Sequence, residues 1–214
     1  MISDAANISL LAGDYEVASM TGTIPHPYSE EMAIDWIQSL QAGDEGVAFA
    51  IDRGGKLIGC VGYRATEKTH AEMGYWIGKP HWGMGYATEA ARALIIYAFR
   101  RENFSYLTVG HFKENPASAR VIAKLGFEPS GEVLRDCAAR NNKAPCLTYR
   151  LYKERALAGE SAGARALPVF NRSMIRVSSV TTRPESISNW RKIRAKSLFG
   201  TSSSLSSQCS ISTL

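Results

Sequence analysis

Trp82-Gly83-Met84-Gly85-Tyr86-Ala87-Thr88-Glu89 lies between a predicted strand and a strongly amphipathic predicted helix. Its glycines allow the backbone to turn sharply and to approach a ligand closely. The first N–H groups of a helix have no partner within the helix, and the helix dipole adds partial positive charge there. Small residues in the segment leave room for a pyrophosphate. The segment therefore predicts a phosphate-binding site at the start of the helix.

Two other interpretations of this segment remain open from the residues alone. A tight strand-to-helix turn without a ligand has the same composition. The spacing Gly83-x-Gly85-x-x-Thr88 also resembles the G-x-G-x-x-G fingerprint of dinucleotide-binding folds, with the last glycine lost. Glu114 would then take the place of the ribose-binding acid. The segment follows a predicted antiparallel meander instead of opening a βαβ unit, and this position argues against the dinucleotide interpretation.

Hydrophobic periodicity around the segment predicts an alternation of helices and strands. We expect helices within 4–20 and at 29–43, 86–101 and 116–125, and strands at 47–51, 57–63, 72–77, 106–112, 131–138 and 146–152. This order predicts a mixed α+β, three-layer α/β domain over residues 1–155.

A second segment, Asn115-Pro116-x-Ser118-x-Arg120-Val121-x-x-Lys124-Leu125-Gly126-Phe127, follows the next strand and opens the next helix. Taken together, the two segments resemble the GNAT superfamily of acetyl-CoA-dependent N-acetyltransferases. The first matches its Q/R-x-x-G-x-G/A motif at Gly85 and Ala87, with Trp82 in place of the first Arg or Gln. The W-G-x-G-Y-A-T-E-A and N-x-x-S-x-R-V-x-x-K-L-G-F patterns resemble the RimJ/RimL-like branch. The resemblance covers roughly residues 4–154.

The resemblance implies a three-layer αβα fold with a mostly antiparallel sheet whose fourth and fifth family strands are splayed. Here those strands are 72–77 and 106–112. Acetyl-CoA is the implied cosubstrate, and no metal is implied. The implied contacts are the pyrophosphate on the loop, the pantetheine on the preceding strand, and the cofactor arm on the second motif. These cofactor-binding candidates are Gly83, Met84, Gly85, Tyr86, Ala87 and Thr88, then Trp76, Ile77 and Gly78, then Asn115 and Ser118.

The resemblance also implies roles on the acceptor side. Glu72 is the candidate general base, directly or through a water, and the alternative is a surface carboxylate at a strand edge. His26 and Tyr28 are candidate acceptor-pocket residues, and the alternative is packing of a loop between two prolines. Asn115 is also a good N-cap before Pro116, and that role is compatible with cofactor contact.

The implied reaction is acetyl transfer to a primary amine of a protein N-terminus or of a small molecule. The alternative function is a non-catalytic acyl-CoA-binding module. Two departures from the family pattern favour this alternative. We expect the strand that precedes the first family helix to be missing, through true absence or a misplaced coding start. The position of the family's proton-donating Tyr is occupied by Ile122.

Composition restricts the class of protein. Of the 214 residues, 45% are apolar and 21% are charged, as in globular proteins. No apolar run approaches the ~20 residues of a membrane helix, and no secretory signal is visible, so we expect a cytoplasmic protein, monomeric or homodimeric. Residues 1–155 hold 17 basic and 18 acidic residues, so we expect no nucleic-acid partner for this domain.

The net charge of +5 comes from residues 156–214, which hold 8 basic and 2 acidic residues. This segment has 14 Ser and 4 Thr among 59 residues, a composition that predicts a disordered tail. Its basic patch at 190–196 has two interpretations, a solvated tail or a contact with an acidic or membrane surface.

The four cysteines form no CxxC pair, and we expect them reduced and without a zinc site. If Asn141 and Asn142 form the last hairpin turn, Cys137 lies opposite Cys146. We expect these two cysteines to be small buried apolar residues.

Overall fold

Six strands form one sheet in the computed structural model, which describes residues 1–43 and 46–162. The spatial order is β1-β2-β3-β4-β6-β5, and every neighbouring pair is antiparallel except β3 and β4. The strands are β1 Val47–Arg53, β2 Lys56–Glu67, β3 His70–Ile77, β4 Tyr106–Phe112, β5 Glu128–Cys137 and β6 Asn142–Tyr152. The mostly antiparallel sheet confirms the fold class predicted from the sequence.

The helices supply the two outer layers. They are α1 Ala5–Ala12, α2 Tyr15–Ala18, α3 Glu30–Ala42, α4 Tyr86–Arg101, α5 Pro116–Lys124 and α6 Lys153–Ala162. Helix α4 packs on the face of the sheet that carries Met73 and Leu107, and this side forms the largest buried core. Helices α1 and α3 pack on the opposite face with Trp76. The alternation of side chains along each strand divides the core in this way.

Strands β3 and β4 are splayed. Their parallel pairing covers only His70–Glu72 against Tyr106–Thr108. Beyond these residues β3 continues to Ile77 and β4 to Phe112 without pairing to each other. The separation opens a cleft through the middle of the sheet, as the family resemblance implied.

The helix boundaries agree closely with the sequence patterns. Ser29 caps α3 by accepting a hydrogen bond from the Met32 N–H, and Gly43 ends the helix in the left-handed conformation. Asn115 accepts from the Ser118 N–H at the start of α5. Short polar side chains at helix starts and glycine at helix ends are local signals, so the sequence shows them directly.

The register predicted for the last hairpin is wrong. Asn141 alone takes the left-handed conformation, after a short 3₁₀ turn over Ala138–Arg140, and Asn142 is already the first residue of β6. Cys137 therefore pairs with Asn142, and Cys146 pairs with Val133. Both cysteines are nevertheless free and buried, as expected.

The structure shows how the described part of the domain begins and how far its last helix extends. Among the described residues no strand precedes α1, so the sheet edge is formed by β1. Helix α6 continues past residue 155, the boundary expected from composition, and Ala156 packs against the main core. The predicted disordered tail and its basic patch lie outside the described residues from 163 onward.

Candidate active site

A cavity of about 740 Å³ extends through the cleft between β3 and β4. Its wall includes Tyr75 and Ser118 on the face of α4 and α5, and Phe112 and Cys146 on the opposite face. A volume of this size lies in the range of small-molecule sites, roughly 300–1,000 Å³. The cavity therefore connects the two faces of the sheet, and two molecules entering from opposite sides meet inside it.

Most of the predicted cofactor residues line this cavity. They are Trp76, Ile77, Gly83, Gly85, Tyr86, Ala87, Thr88, Asn115 and Ser118. The two motifs are separated in sequence, and the fold brings them together at one mouth of the cleft because β3 and β4 lead into α4 and α5 from neighbouring positions.

The glycine loop has the geometry that anion binding requires. Gly83 and Gly85 have φ of 76° and 86°, in the region that side chains with a Cβ rarely adopt. Gly85 is the N-cap of α4, and no side chain caps this end of the helix. The first N–H groups of α4 therefore face the cavity mouth without an intrahelical partner. They can hold the pyrophosphate of acetyl-CoA.

Trp82 explains how the loop tolerates the loss of the family's Arg or Gln. Its indole N–H donates a 2.6 Å hydrogen bond to the carbonyl of Ile77 at the end of β3. The bond ties the loop to the strand it leaves, while 46% of Trp82 stays exposed. The Gly78 N–H is also engaged, because it donates to the Ile58 carbonyl. Trp76 of β3 lies two residues before Gly78, so its backbone N–H and carbonyl also face β2. Of the three predicted pantetheine contacts, Ile77 is therefore the one whose backbone faces the cleft.

Besides Gly78 and Glu72, three predicted residues lie outside the cavity wall. Met84 is 56% exposed. His26 is exposed and its Nδ1 lies 2.9 Å from the Gly13 carbonyl. Tyr28 packs against the smaller core beside α1 and α3, and burial raises its pKa to about 12. The structure therefore favours loop packing for His26 and Tyr28. Tyr15, whose ring contacts His26 edge to face, lines the cavity instead.

Glu72 is buried, which excludes the interpretation as a surface carboxylate. It lies at the last paired position of β3, opposite Thr108, where the two strands separate. Its carboxylate accepts a hydrogen bond from Nη1 of Arg135, and the two side chains form an ion pair. Arg135 lines the cavity, whereas Glu72 lies behind it. Sequence analysis missed Arg135, which is 63 residues away from Glu72 along the chain.

Ile122, at the position predicted for the family's proton donor, is fully buried in the core. The structure offers another hydroxyl in the cavity wall. The Tyr75 hydroxyl lies 2.8 Å from the Ser118 hydroxyl, next to the second motif. Burial raises the pKa of Tyr75 to about 12, partly offset by the Ser118 hydrogen bond. Tyr75 therefore stays protonated at neutral pH.

His111 is a second cavity residue that sequence analysis missed. It is buried on β4, with Nδ1 2.8 Å from the Phe112 carbonyl and Nε2 3.1 Å from the Tyr149 hydroxyl. A carbonyl only accepts, so Nδ1 carries the proton and, in the neutral ring, Nε2 accepts from Tyr149. A lone histidine on a strand carries no local sequence signal for this arrangement.

A family model for the acetyltransferase (GNAT) domain matches residues 1–128 of this chain. The chain belongs to the GNAT family. This assignment supports the acetyl-CoA interpretation of the glycine loop over the dinucleotide one. The described residues contain no group of three or more His, Cys, Asp or Glu side chains that could hold a metal ion. None of the described helices is long and apolar enough to cross a membrane.

Several curated relatives are N-acetyltransferases by name. The uncharacterized N-acetyltransferase YoaA of Bacillus subtilis is 35% identical over 120 residues, covering 53% of this chain and 67% of that protein. The putative ribosomal N-acetyltransferase YdaF of the same species is 30% identical over 135 residues, covering 62% of this chain and 73% of that protein. Some matches are shorter: the one to YkkB of Bacillus subtilis spans 60% of that protein. These relatives and the family model indicate an N-acetyltransferase.

Solved structures show the same fold. Spermidine N-acetyltransferase from Vibrio cholerae, in complex with CoA and spermine, has a TM-score of 0.63 at 19% identity, covering 72% of this chain and 93% of that chain. RimL, a ribosomal L7/L12 α-N-protein acetyltransferase in complex with CoA, has a TM-score of 0.61 at 17% identity, covering 71% of this chain and 90% of that chain. At these identities the likeness concerns the fold.

Proposed function

We propose that this protein transfers the acetyl group of acetyl-CoA to a primary amine by direct attack in a ternary complex. The observation that carries the proposal is the cavity, which joins the uncapped start of α4 on one side of the sheet to the Glu72–Arg135 pair on the other. Acetyl-CoA supplies a thioester whose carbonyl carbon is open to attack by an amine. The acceptor is a small-molecule amine or a protein N-terminus, the two kinds of acceptor named for the fold neighbours.

The residues on the α4 side bind and orient the cosubstrate. The first N–H groups of α4, from Tyr86 to Thr88, hold the pyrophosphate with the help of the helix dipole. The unpaired part of β3 near Ile77 pairs with the pantetheine amides as an added strand would. A backbone N–H there polarises the thioester carbonyl. Asn115 and Ser118 contact the cofactor arm from the start of α5.

The residues on the opposite side prepare the amine. An amine must be neutral to attack, and a lysine amine with a pKa near ~10.4 is mostly protonated at pH 7, an α-amine near ~8 less so. Glu72 is the proton acceptor in this proposal. Because it lies outside the cavity wall, behind Arg135, it takes the proton through a water that lies between its carboxylate and the amine. Tyr75 returns a proton to the departing CoA sulfur.

The proposal is tested by titrating acetyl-CoA and CoA into the full chain in a calorimeter, followed by a thiol-release assay with a panel of amines. We expect micromolar binding of both ligands and release of CoA that depends on an amine. A folded protein that binds neither ligand would overturn the proposal. Binding without turnover of any amine would favour the non-catalytic acyl-CoA-binding module instead.

Tyr75→Phe tests the proton-donating hydroxyl. We expect kcat to fall about tenfold, less than the usual acid–base contribution of about 10²–10⁴-fold, because a CoA thiolate is a tolerable leaving group near neutral pH. The pKa of Tyr75, about 12, also predicts no loss of activity from its ionisation as the pH rises from about 6 to about 10. Stopped-flow measurement of CoA release gives kcat, and calorimetry checks that acetyl-CoA affinity stays within twofold.

The matched control for Tyr75→Phe is Tyr63→Phe. Tyr63 is also a buried phenol with a hydrogen bond, 3.0 Å to the Glu102 carboxylate, and it lies outside the cavity wall. Its loss should leave kcat unchanged. Equal activity of Tyr75→Phe and the wild type would exclude the proton-donor role.

A further inference from the structure

Arg135 reaches across two strands to the point where the sheet opens. It starts on the edge strand β5, opposite Ala144 of β6, and its guanidinium contacts Glu72 on β3. On the way it passes Gly110 of β4. A Cβ built on Gly110 would stand 3.7 Å from the guanidinium carbon of Arg135, an ordinary contact, and 2.9 Å from the Cys146 sulfur, which is too close. The strand register therefore places the cation at the base of the cleft, and the close packing of Cys146 requires the glycine beside it.

The guanidinium is on the acceptor side of the cleft. Cys146 belongs to a buried cluster with Phe112 and Cys137, and the Cys137 thiol donates to the Ser19 carbonyl beside α2. The phosphate-binding loop belongs to α4, which packs on the other face. Since the donor is anchored on the α4 side, whatever reaches Arg135 from the α2 side is the acceptor.

Arg135 is a cation of the cavity wall on the acceptor side. Its side chain is 18% exposed, so its charge is only partly screened by water, and its partner carboxylate lies outside the wall. The acidic residues of the wall, Glu16 and Glu114, are likewise each paired with a cation outside it, Lys79 and Arg140. A planar guanidinium matches a carboxylate in geometry as well as in charge, so Arg135 is suited to bind a carboxylate that the acceptor carries.

We propose that Arg135 binds a carboxylate of the acceptor, so that the acceptor is an amine carrying a carboxylate close to its amino group. Glu72 holds Arg135 in place and takes the amine's proton through a water, and the guanidinium faces the acid. The inference rests on the proposed function and narrows it to one class of acceptor. The carboxylate comes from a free α-amino acid or from an acidic second residue of a peptide.

The experiment compares acceptors that differ only in the acid. The full chain is assayed for CoA release with L-amino acids, each matched with its α-amide and its decarboxylated amine, and with the dipeptides Ala-Asp and Ala-Asn. We expect kcat/KM to be about ten- to a hundredfold higher with the carboxylate member, the range expected for a charged hydrogen-bonded pair. If kcat/KM is higher for the amino acids than for their amides and amines, the acceptor is a free amino acid. If the carboxylate raises kcat/KM only in the dipeptides, the acceptor is a peptide.

The variants Arg135→Gln and Arg135→Lys test whether Arg135 causes the preference for acceptors with a carboxylate. Glutamine should abolish it, mainly by raising KM for acceptors with a carboxylate, and lysine should restore part of it because the charge remains without the planar fork. Arg150→Gln is the matched control, since Arg150 lies on neighbouring β6 outside the cavity wall. Thermal unfolding checks that Arg135→Gln, which leaves Glu72 without its cation, stays folded; if it does not, Arg135→Lys alone decides.

Two outcomes overturn the inference and are distinct from each other. Equal kcat/KM for acids, amides and amines, or a preference unchanged in the Arg135 variants, overturns it while the acetyltransferase activity stands. Absence of acetyl-CoA binding in the calorimetric titration overturns the proposed function, and the inference falls with it.

Discussion

Replacing Gly85 by valine should weaken acetyl-CoA binding by roughly a hundredfold. The φ of 86° at this residue is unfavourable for any side chain with a Cβ, at a cost of about 1–3 kcal/mol, and strongly so for a β-branched one. The variant relieves this strain by moving the loop, which displaces the first N–H groups of α4 from the phosphate. A side chain at the N-cap also occupies space at the cavity mouth. Calorimetric titration of acetyl-CoA measures the loss.

Gly55→Val supplies a closely matched control. Gly55 lies in the turn between β1 and β2 with φ of 87°, and at Gly55, as at Gly85, an added Cβ would have no heavy atom within 4 Å of it. Both variants therefore carry similar backbone strain, but Gly55 is outside the cavity wall. We expect both to lower the unfolding temperature and only Gly85→Val to lower affinity. Equal affinities in the two variants would exclude the loop as the pyrophosphate site.

The donor side of the site could be predicted from the sequence because its signals are local. A glycine loop, a helix start and an N-cap each depend on residues within a few positions of one another. The segment 82–89 and the motif from Asn115 onward thus indicated the cofactor residues, most of which line the cavity. The splay of β3 and β4 followed from the family resemblance, since nothing in either strand alone shows where the pairing ends.

The acceptor side could not be predicted because it is assembled across the sheet. Arg135 reaches Glu72 over two intervening strands, and no spacing in the sequence records that path. The expected pairing of Cys137 with Cys146 was wrong for a related reason: a turn shifted by a few residues changes every partner in a hairpin. His26 and Tyr28 were assigned from their loop, and the structure places Tyr15 in the cavity wall instead.

In the proposed reaction, Tyr75 supplies the hydroxyl that the family pattern places elsewhere in the sequence. Ile122 occupies the position at which many family members have a tyrosine, and it fills the core there. Tyr75 brings a hydroxyl to the same helix from β3, three residues beyond Glu72 on the same strand. Neighbouring residues of a strand point to opposite faces. One strand therefore presents Tyr75 on the donor side and Glu72 on the acceptor side.

Replacing Glu72 by glutamine should lower kcat about a hundredfold or more, the contribution expected of a general base. The substitution keeps the size of the side chain and its hydrogen-bond acceptor toward Arg135, but it removes the negative charge that accepts the amine's proton. In the proposed arrangement acetyl-CoA lies on the other face of the sheet, so its affinity should stay within twofold. Steady-state CoA release and calorimetric titration measure the two quantities separately.

The separation of kcat from KM decides what Glu72 does. If Glu72 acts only by holding Arg135, the variant raises KM for the acceptor while kcat at saturation stays near the wild-type value, and the general-base role is excluded. Glu102→Gln is the matched control, because Glu102 is also a hydrogen-bonded carboxylate, toward Tyr63, and lies outside the cavity wall. It should change neither quantity. A fall in kcat that occurs only in Glu72→Gln would show that Glu72 accepts the proton. The proton acceptor would then lie on β3, the strand that is also proposed to bind acetyl-CoA.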